Sequence, residues 1–202
     1  MTNYVNSTLT LYVTLIVAFV ILVAVLVRQY LVLRDNRRLQ AELERMATTD
    51  ALTGIANRRF FEETLAREIK RAQRYGRHLT LLMIDINHFK NYNDKHGHPM
   101  GDQLLRDCAH LMKALIRASD LVARYGGDEF VVLLPEITAR QGKFVAEKLR
   151  QIKIGSLASR EEIAMSIGCA AYKKDMAAET LIELADKDMN KQKAAFAKKQ
   201  PK

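Results

Sequence analysis

Nineteen consecutive residues near the start of the chain, LTLYVTLIVAFVILVAVLV at positions 9–27, contain no charge, no proline and no glycine. As a helix rising about 1.5 Å per residue, this run is close to ~30 Å long, the thickness of a bilayer's hydrocarbon core. It reads as one transmembrane helix. A secretory signal peptide fits less well, because residues 1–8 carry no basic residue and no small-residue cleavage site follows the run. A buried core helix also fits less well, since no polar stripe interrupts the apolar one. Arg28, Arg34, Arg37 and Arg38 follow the span and no basic residue precedes it. The positive-inside rule then puts a short N-terminus, 1–8, outside and the remainder in the cytoplasm.

Residues 28–49 read as a juxtamembrane helix continuing from the span. Val32, Asn36, Leu39, Leu43 and Met46 alternate spacings of four and three. That is a short heptad seam, with Asn36 as a polar position able to fix register. It predicts a parallel two-helix coil and hence a homodimer, against the plainer alternative of one amphipathic helix packed on its own domain.

From residue 50 onward the chain reads as one α/β domain, 50–202. FFEETLAREIKRAQRYG has helical spacing and stops at Gly76. LTLLMIDI at 79–86 is a buried-strand run, and GDQLLRDCAHLMKALIR at 101–117 an amphipathic helix. LVARYGGDEFVVLLP at 121–135 predicts two strands around a Gly-Gly turn, with Pro135 as a stop. A helix from Thr138, a strand in EIAMSIGCAAY and a long last helix complete the pattern. It implies a mixed β-sheet surrounded by helices.

The formal net charge of +9 raises the question of nucleic acid. The basic residues are scattered over helix faces and concentrated only beside the span and in the tail KKQPK. No nucleic-acid-binding motif accompanies them, so nucleic acid is not expected as a partner. Cys108 and Cys169 lack metal-ligand spacing and suit buried apolar positions in a reducing compartment.

The chemistry concentrates in RYGGDEF, 124–130, where two carboxylates stand in an apolar context directly after Gly126 and Gly127. Glycines at a hairpin tip let a backbone or ligand approach closely. Asp85 ends the apolar strand 79–86, so Asp85 and Asp128 converge if the two strands are neighbours. Converging carboxylates repel unless a cation binds them, and hard oxygen ligands favour Mg²⁺, with Mn²⁺ as an alternative. The bland alternative is two turn carboxylates pointing into water. The polar loop 87–102 offers Lys90 to phosphate, and Asn93 and Asp102 to a base edge; a carboxylate with an amide can address guanine. His96 and His98 do not have the spacing of a zinc site.

Five segments carry a family resemblance: DALTGIANRR at 50–59, DINHFKNYNDKHGHPMGD at 85–102, RYGGDEF at 124–130, SIGCA at 166–170 and LADKDMNKQK at 184–193. Together they make the chain resemble the GGDEF-domain diguanylate cyclases of bacteria, and its span and helix resemble the family's common layout of an N-terminal module controlling dimerisation, which implies a member anchored in the bacterial cytoplasmic membrane. The resemblance implies a nucleotide-cyclase palm-like fold and condensation of two GTP into cyclic di-GMP and two pyrophosphates. It implies that Asp85, Asp128 and the carbonyl of Ile86 hold Mg²⁺, and that Glu129 stands at the attacking 3′-hydroxyl. Asn93 and Asp102 would read guanine, and Lys90 and Lys193 would clamp the triphosphate. Arg117 and Asp120 match the family's R-x-x-D site for inhibition by bound cyclic di-GMP, against a local ion pair on one helix face. Lys148 or Arg150 would assist there. The chain departs from the family at Asn87, Asn190, Phe196 and Ala197, the last two standing where Gly and Arg are usual. Two further functions remain in view: a catalytically weak GGDEF-type receptor that binds nucleotide without turnover, and a basic membrane-surface adaptor. The intact set Asp85, Asp128 and Glu129 favours the enzyme, since neither alternative needs it.

Overall fold

The computed structural model describes residues 15, 17, 19, 21–37, 46–151 and 163–199. It falls into two compact units, Met1–Arg45 and Met46–Lys202. In the first unit residues 21–37 are helical (α1), and the described side chains from Leu15 to Leu33 are exposed. Among the described residues no helix is long and apolar enough to cross a membrane. Residues 9–14, 16, 18 and 20 of the expected span lie outside the described residues, as do the expected N-terminus 1–8 and Leu39 and Leu43 of the expected seam.

The second unit is a five-stranded mixed sheet between two layers of helices. Its strands are β1 (Ala56–Asn57), β2 (Leu79–Ile86), β3 (Leu121–Arg124), β4 (Glu129–Pro135) and β5 (Met165–Ala171), in the order β1-β3-β4-β2-β5. Among the described strands only the β1–β3 pair is parallel. The central strand β2 is buried at every position, which explains its unbroken apolar run. Leu82, Ile84 and Ile86 face one core, shared with α4 (His98–Leu115) and α5 (Ala139–Arg150). Leu79, Leu81 and Met83 face the other, shared with α2 (Arg58–Tyr75) and α6 (Ala178–Lys199). Cys108 is fully buried in the first core, where burial pushes its thiol up to about 12.

Local chemistry sets the boundaries. Asn57 caps α2 by accepting from the Phe60 N–H, and Gly76 ends the helix in the left-handed region at φ 63°. Thr138 and Gln141 form a reciprocal capping box at the start of α5. The expected loop at 87–102 is instead largely helical. A short helix α3 spans Phe89–His96, and α4 begins at His98 with Pro99 in its first turn, where a missing N–H costs nothing. The two-residue β1 was not legible as a strand, because it is set by pairing with β3 rather than by its own pattern.

The last helix is seated by one close approach. A Cβ placed on Gly168 of β5 would lie 2.1 Å from the Ala185 carbonyl oxygen and 2.2 Å from the Met189 nitrogen. Both neighbours are backbone, so only glycine lets α6 lie this near the sheet. Gly168→Ala is therefore expected to destabilise the domain by about 1–3 kcal/mol, the usual cost of overpacking. Urea denaturation monitored by circular dichroism checks this, and an unchanged midpoint would remove the argument for a glycine here.

Candidate active site

Asp85 lies one residue before the end of β2 and is only 3% exposed. The ladder sets it opposite Glu129 of β4 and Ser166 of β5. Directly opposed residues project to the same face of a sheet. Asp128 immediately precedes β4, and its carbonyl accepts from the Ile86 N–H at 3.3 Å. The expected convergence of Asp85 and Asp128 at one sheet end is present, although Glu129 is the residue facing Asp85 across the ladder.

The electrostatics reflect this crowding. Burial raises the Asp85 carboxyl above its ordinary value; Lys193 opposes the rise, while Asp128 and Asp186 add to it. Burial likewise raises Glu129, with further contributions from Asp85, Asp128 and Asp186. The Lys193 ammonium donates to Asp85 Oδ2 at 2.7 Å. The other oxygen, Asp85 Oδ1, is buried with no hydrogen-bond partner. Asn87 Nδ2 and Asn93 Oδ1 share that condition, and among the described residues these three are the only such side-chain atoms. Buried polar groups are normally satisfied, so three orphans within residues 85–93 mark a place completed by something else.

The Gly-Gly turn is held from behind. Arg124, the last residue of β3, donates to the Gly126 carbonyl at 3.1 Å and to the Gly127 carbonyl at 2.7 Å. Its Nη1 reaches Asp50 Oδ1 at 3.2 Å. Burial alone would raise the Asp50 carboxyl, but hydrogen bonds from Thr53 and the Arg124 guanidinium outweigh it and hold the group below the usual range. A Cβ on Gly126 would meet Glu129 Oε2 at 2.7 Å, whereas a Cβ on Gly127 would meet nothing within 4 Å. Gly126 thus admits the Glu129 carboxylate and Gly127 leaves the outer side open.

The expected base-reading residues lie on two helices brought into contact by a glycine. A Cβ on Gly101 would sit 1.7 Å from Asn93 Oδ1 and 2.8 Å from its Cγ. Asn93 on α3 therefore rests on the α4 backbone beside Asp102, which is half-buried just after the first turn of that helix. Lys90, on the first turn of α3, is exposed.

Arg117 and Asp120 correct the sequence expectation. Helix α4 ends at Leu115, so the pair lies in a turn rather than on a helix face. Asp120 Oδ2 accepts from the Arg117 backbone N–H at 3.0 Å, an arrangement that fixes the turn without using the guanidinium. Lys148 lines a hollow of about 140 Å³ together with Arg117, Asp120 and Phe144. Arg150 is committed elsewhere, donating to the Ile167 carbonyl at 2.7 Å and to Gln192 Oε1 at 2.6 Å.

Several site residues escaped the sequence reading. Arg124 and Asp50 lie within the family-like motifs 124–130 and 50–59, but their pairing spans 74 positions and no local spacing announces it. Asp186 was readable: it precedes Lys193 by seven residues, two helical turns on the same face. Asn190 donates to Asp186 Oδ2 at 2.9 Å. Asn87 is buried and its Oδ1 accepts from Ser166 Oγ at 2.7 Å, a coupling invisible without the β2–β5 register.

Among the described residues no group of three or more His, Cys, Asp or Glu could hold a metal ion. A cation at Asp85 would draw on its orphaned oxygen, on few protein carboxylates and on the oxygens of a bound ligand. That donor chemistry suits a small hard divalent ion carried with phosphates.

The fold matches solved GGDEF structures. The coiled coil and GGDEF domain of DgcB from Caulobacter crescentus, in complex with c-di-GMP, superposes with a TM-score of 0.80 at 29% identity, covering 86% of this chain and 95% of that one. The family profile "Diguanylate cyclase, GGDEF domain" matches residues 47–199. The chain belongs to the GGDEF-domain family of diguanylate cyclases. It is 37% identical over 169 residues to the diguanylate cyclase DgcP of Pseudomonas aeruginosa, covering 80% of this chain and 25% of that protein. It is 35% identical over 160 residues to the diguanylate cyclase DgcS of Shewanella oneidensis, covering 76% and 52% respectively. The chain thus spans between a quarter and about half of these relatives' own length.

The raised carboxyls carry a pH signature. Asp85 and Glu129 hold their protons more tightly in the folded protein than in the unfolded chain. Their contribution to stability is full below the ordinary carboxylate range and is lost as pH rises through the folded-state values. Glu129→Gln removes one repelling charge. In EDTA, the variant is expected to melt above wild type at neutral pH, with the difference closing below the carboxylate range. Identical melting temperatures across the whole series would contradict the repulsion.

Proposed function

We propose that this chain is a diguanylate cyclase that joins two GTP molecules into cyclic di-GMP and releases two pyrophosphates. The observation that supports this most is the cluster of orphaned polar atoms at Asp85, Asn87 and Asn93 beside three converging carboxylates. One end offers oxygens to a cation and the other an amide and a carboxylate to a base.

In this mechanism Asn93 and Asp102 bind the guanine edge, Asp102 accepting from N1–H and the 2-amino group. Adenine presents an acceptor there and would leave the carboxylate facing it unpaired, which disfavours ATP. Lys90 and Lys193 bind the triphosphate. Asp85, Asp128 and the Ile86 carbonyl would hold Mg²⁺, for which Mn²⁺ is an alternative; when bound, the ion polarises the α-phosphate and offsets charge on the entering and leaving oxygens. Glu129, raised by burial and by its acidic neighbours, accepts the proton of the attacking 3′-hydroxyl. The 3′-oxygen forms a bond to the α-phosphorus of the second GTP as the bond to pyrophosphate breaks in line. Repetition of the step in the opposite sense closes the ring.

One domain binds one GTP, so two domains must face each other, and the active form is a homodimer. The heptad pattern read in residues 28–49 supports this, since pairing there would raise the effective concentration of the second half-site. The uncharged run 9–27, with its exposed apolar side chains at 21–27, supports a single span in the bacterial cytoplasmic membrane, the catalytic domain lying in the cytoplasm. Arg117 and Asp120, with Lys148 across a shared hollow, form the inhibitory site for cyclic di-GMP.

Two measurements test the proposal. Asp128→Asn keeps side-chain shape and removes a ligand charge. With GTP and Mg²⁺ it is expected to lose cyclic di-GMP formation by at least about a hundredfold, the scale of removing a positioned electrostatic contact, with its melting curve retained. Product formation at the wild-type rate would sink the role of Asp128. Arg117→Ala is expected to leave the initial rate unchanged and raise the final product level. Progress curves that slow identically in both proteins would dismiss an inhibitory site at this turn.

A further inference from the structure

The Lys193–Asp85 ion pair stands where the proposed ion would bind. Lys193 Nζ lies 2.7 Å from Asp85 Oδ2, and this carboxylate is the most buried of the acids at the site. An ammonium satisfies one oxygen of Asp85 while the other remains without a partner. A lysine placed only to meet phosphate would have no reason to neutralise a buried carboxylate in the nucleotide-free protein. Without the lysine, Asp85 would be a buried charge among Asp128, Glu129 and Asp186 with nothing to offset it, an expensive arrangement.

The helix carrying Lys193 is fixed on both sides of it. Gly168 of β5 admits the backbone at Ala185 and Met189, with no space for a further methyl group. Gln192 accepts from Arg150 at 2.6 Å, and Arg150 is itself bonded to the Ile167 carbonyl. On the far side Phe196 packs against His88, ring centroids 5.9 Å apart, at the start of α3. The backbone is held at successive turns, but the Lys193 side chain is 48% exposed on a flexible four-carbon stem. Its ammonium can change partners while α6 stays in place.

We infer that Lys193 acts as a resident counter-cation, holding Asp85 in the nucleotide-free protein and transferring to the triphosphate when nucleotide binds, so that divalent-ion binding and nucleotide binding are positively coupled. The inference rests on the proposed role of Asp85 as an ion ligand and adds the coupling. A divalent ion arriving alone competes with an ammonium already bonded to Asp85. Nucleotide offers that ammonium a new set of anionic oxygens and frees the carboxylate. Coupling is reciprocal, so each ligand raises affinity for the other by the same factor. Lys193 is in this sense a positioning residue for the ion as well as a contact for the substrate.

The test titrates Mn²⁺ alone into the full chain, with no nucleotide present, and follows the free ion by electron paramagnetic resonance. Lys193→Met keeps the stem and removes the charge; it is expected to bind Mn²⁺ at least about fivefold more tightly than wild type, the lower end of typical couplings. Lys193→Arg keeps a cation and is expected to bind as wild type does. Asp85→Asn is expected to lose the site in every background. Circular dichroism melting of each variant establishes that it folds. If Lys193→Met binds Mn²⁺ no more tightly than wild type while Asp85→Asn abolishes binding, the counter-cation inference falls and the ion site stands. If Asp85→Asn binds Mn²⁺ like wild type, the assignment of Asp85 as an ion ligand falls, and the coupling with it.

Discussion

A carboxylate at the end of a fully buried strand is the constraint around which this domain is arranged. Asp85 sits on the strand with the deepest burial on both faces, two hydrogen-bonded neighbours and helices above and below. A charge there needs an electrostatic reason to stay ionised. The strand order supplies acidic neighbours from β4, and α6 supplies the lysine. Shifting the β2–β4 register by one residue would turn Glu129 away from Asp85 and put Phe130 in its place, so the apolar pattern that fixes register also fixes the charge cluster.

The Gly-Gly turn shows how a flexible element is made specific. Neither Gly126 nor Gly127 has a positive φ, so the glycines are not there for a left-handed backbone. Gly126 provides room for the Glu129 carboxylate, and the Arg124 guanidinium gathers the carbonyls of both glycines. With its carbonyls directed at Arg124, the turn is oriented relative to the acids that follow it. Asp50 completes the arrangement from 74 positions earlier in the sequence. The entry to the domain and the Gly-Gly turn thereby share one guanidinium, and a displacement of residues 47–50 acts on the turn through a polar contact as well as through packing.

The fold was largely legible because its elements are strongly patterned. The run at 79–86 became β2 with the same bounds, and Gly76 ended α2 as its position implied. The misreadings have physical causes. The stretch 87–102 looked like a polar loop because α3 is only eight residues long and buries only Tyr92, too little to show a period. Arg117 and Asp120 looked like helix neighbours because i, i+3 spacing also describes a turn, and Asp120 there bonds backbone rather than guanidinium. At the site, each carboxylate was legible singly, whereas which acid faces Asp85 depended on a ladder register no single segment contains. The Asp50–Arg124 and Lys193–Asp85 pairs were beyond reach for the same reason: both join residues on elements far apart in sequence.

The charge of the whole chain and the charge of the site oppose each other, and this bears on how a polyanion would be received. The chain carries a formal +9, yet Asp85, Asp128, Glu129 and Asp186 stand together at one sheet end. A nucleotide triphosphate approaching the protein would be drawn by the overall field and repelled at close range by those acids. Lys90 and Lys193 lie at that boundary, one exposed on the first turn of α3 and the other bonded to the most buried acid. The family's usual arginine after Lys193 is replaced here by Ala197, while α6 continues to Lys199 and Phe196 occupies its inner side against His88. Under the proposed mechanism Lys193, already engaged by Asp85, would have both to offset the buried acid and to receive the phosphate.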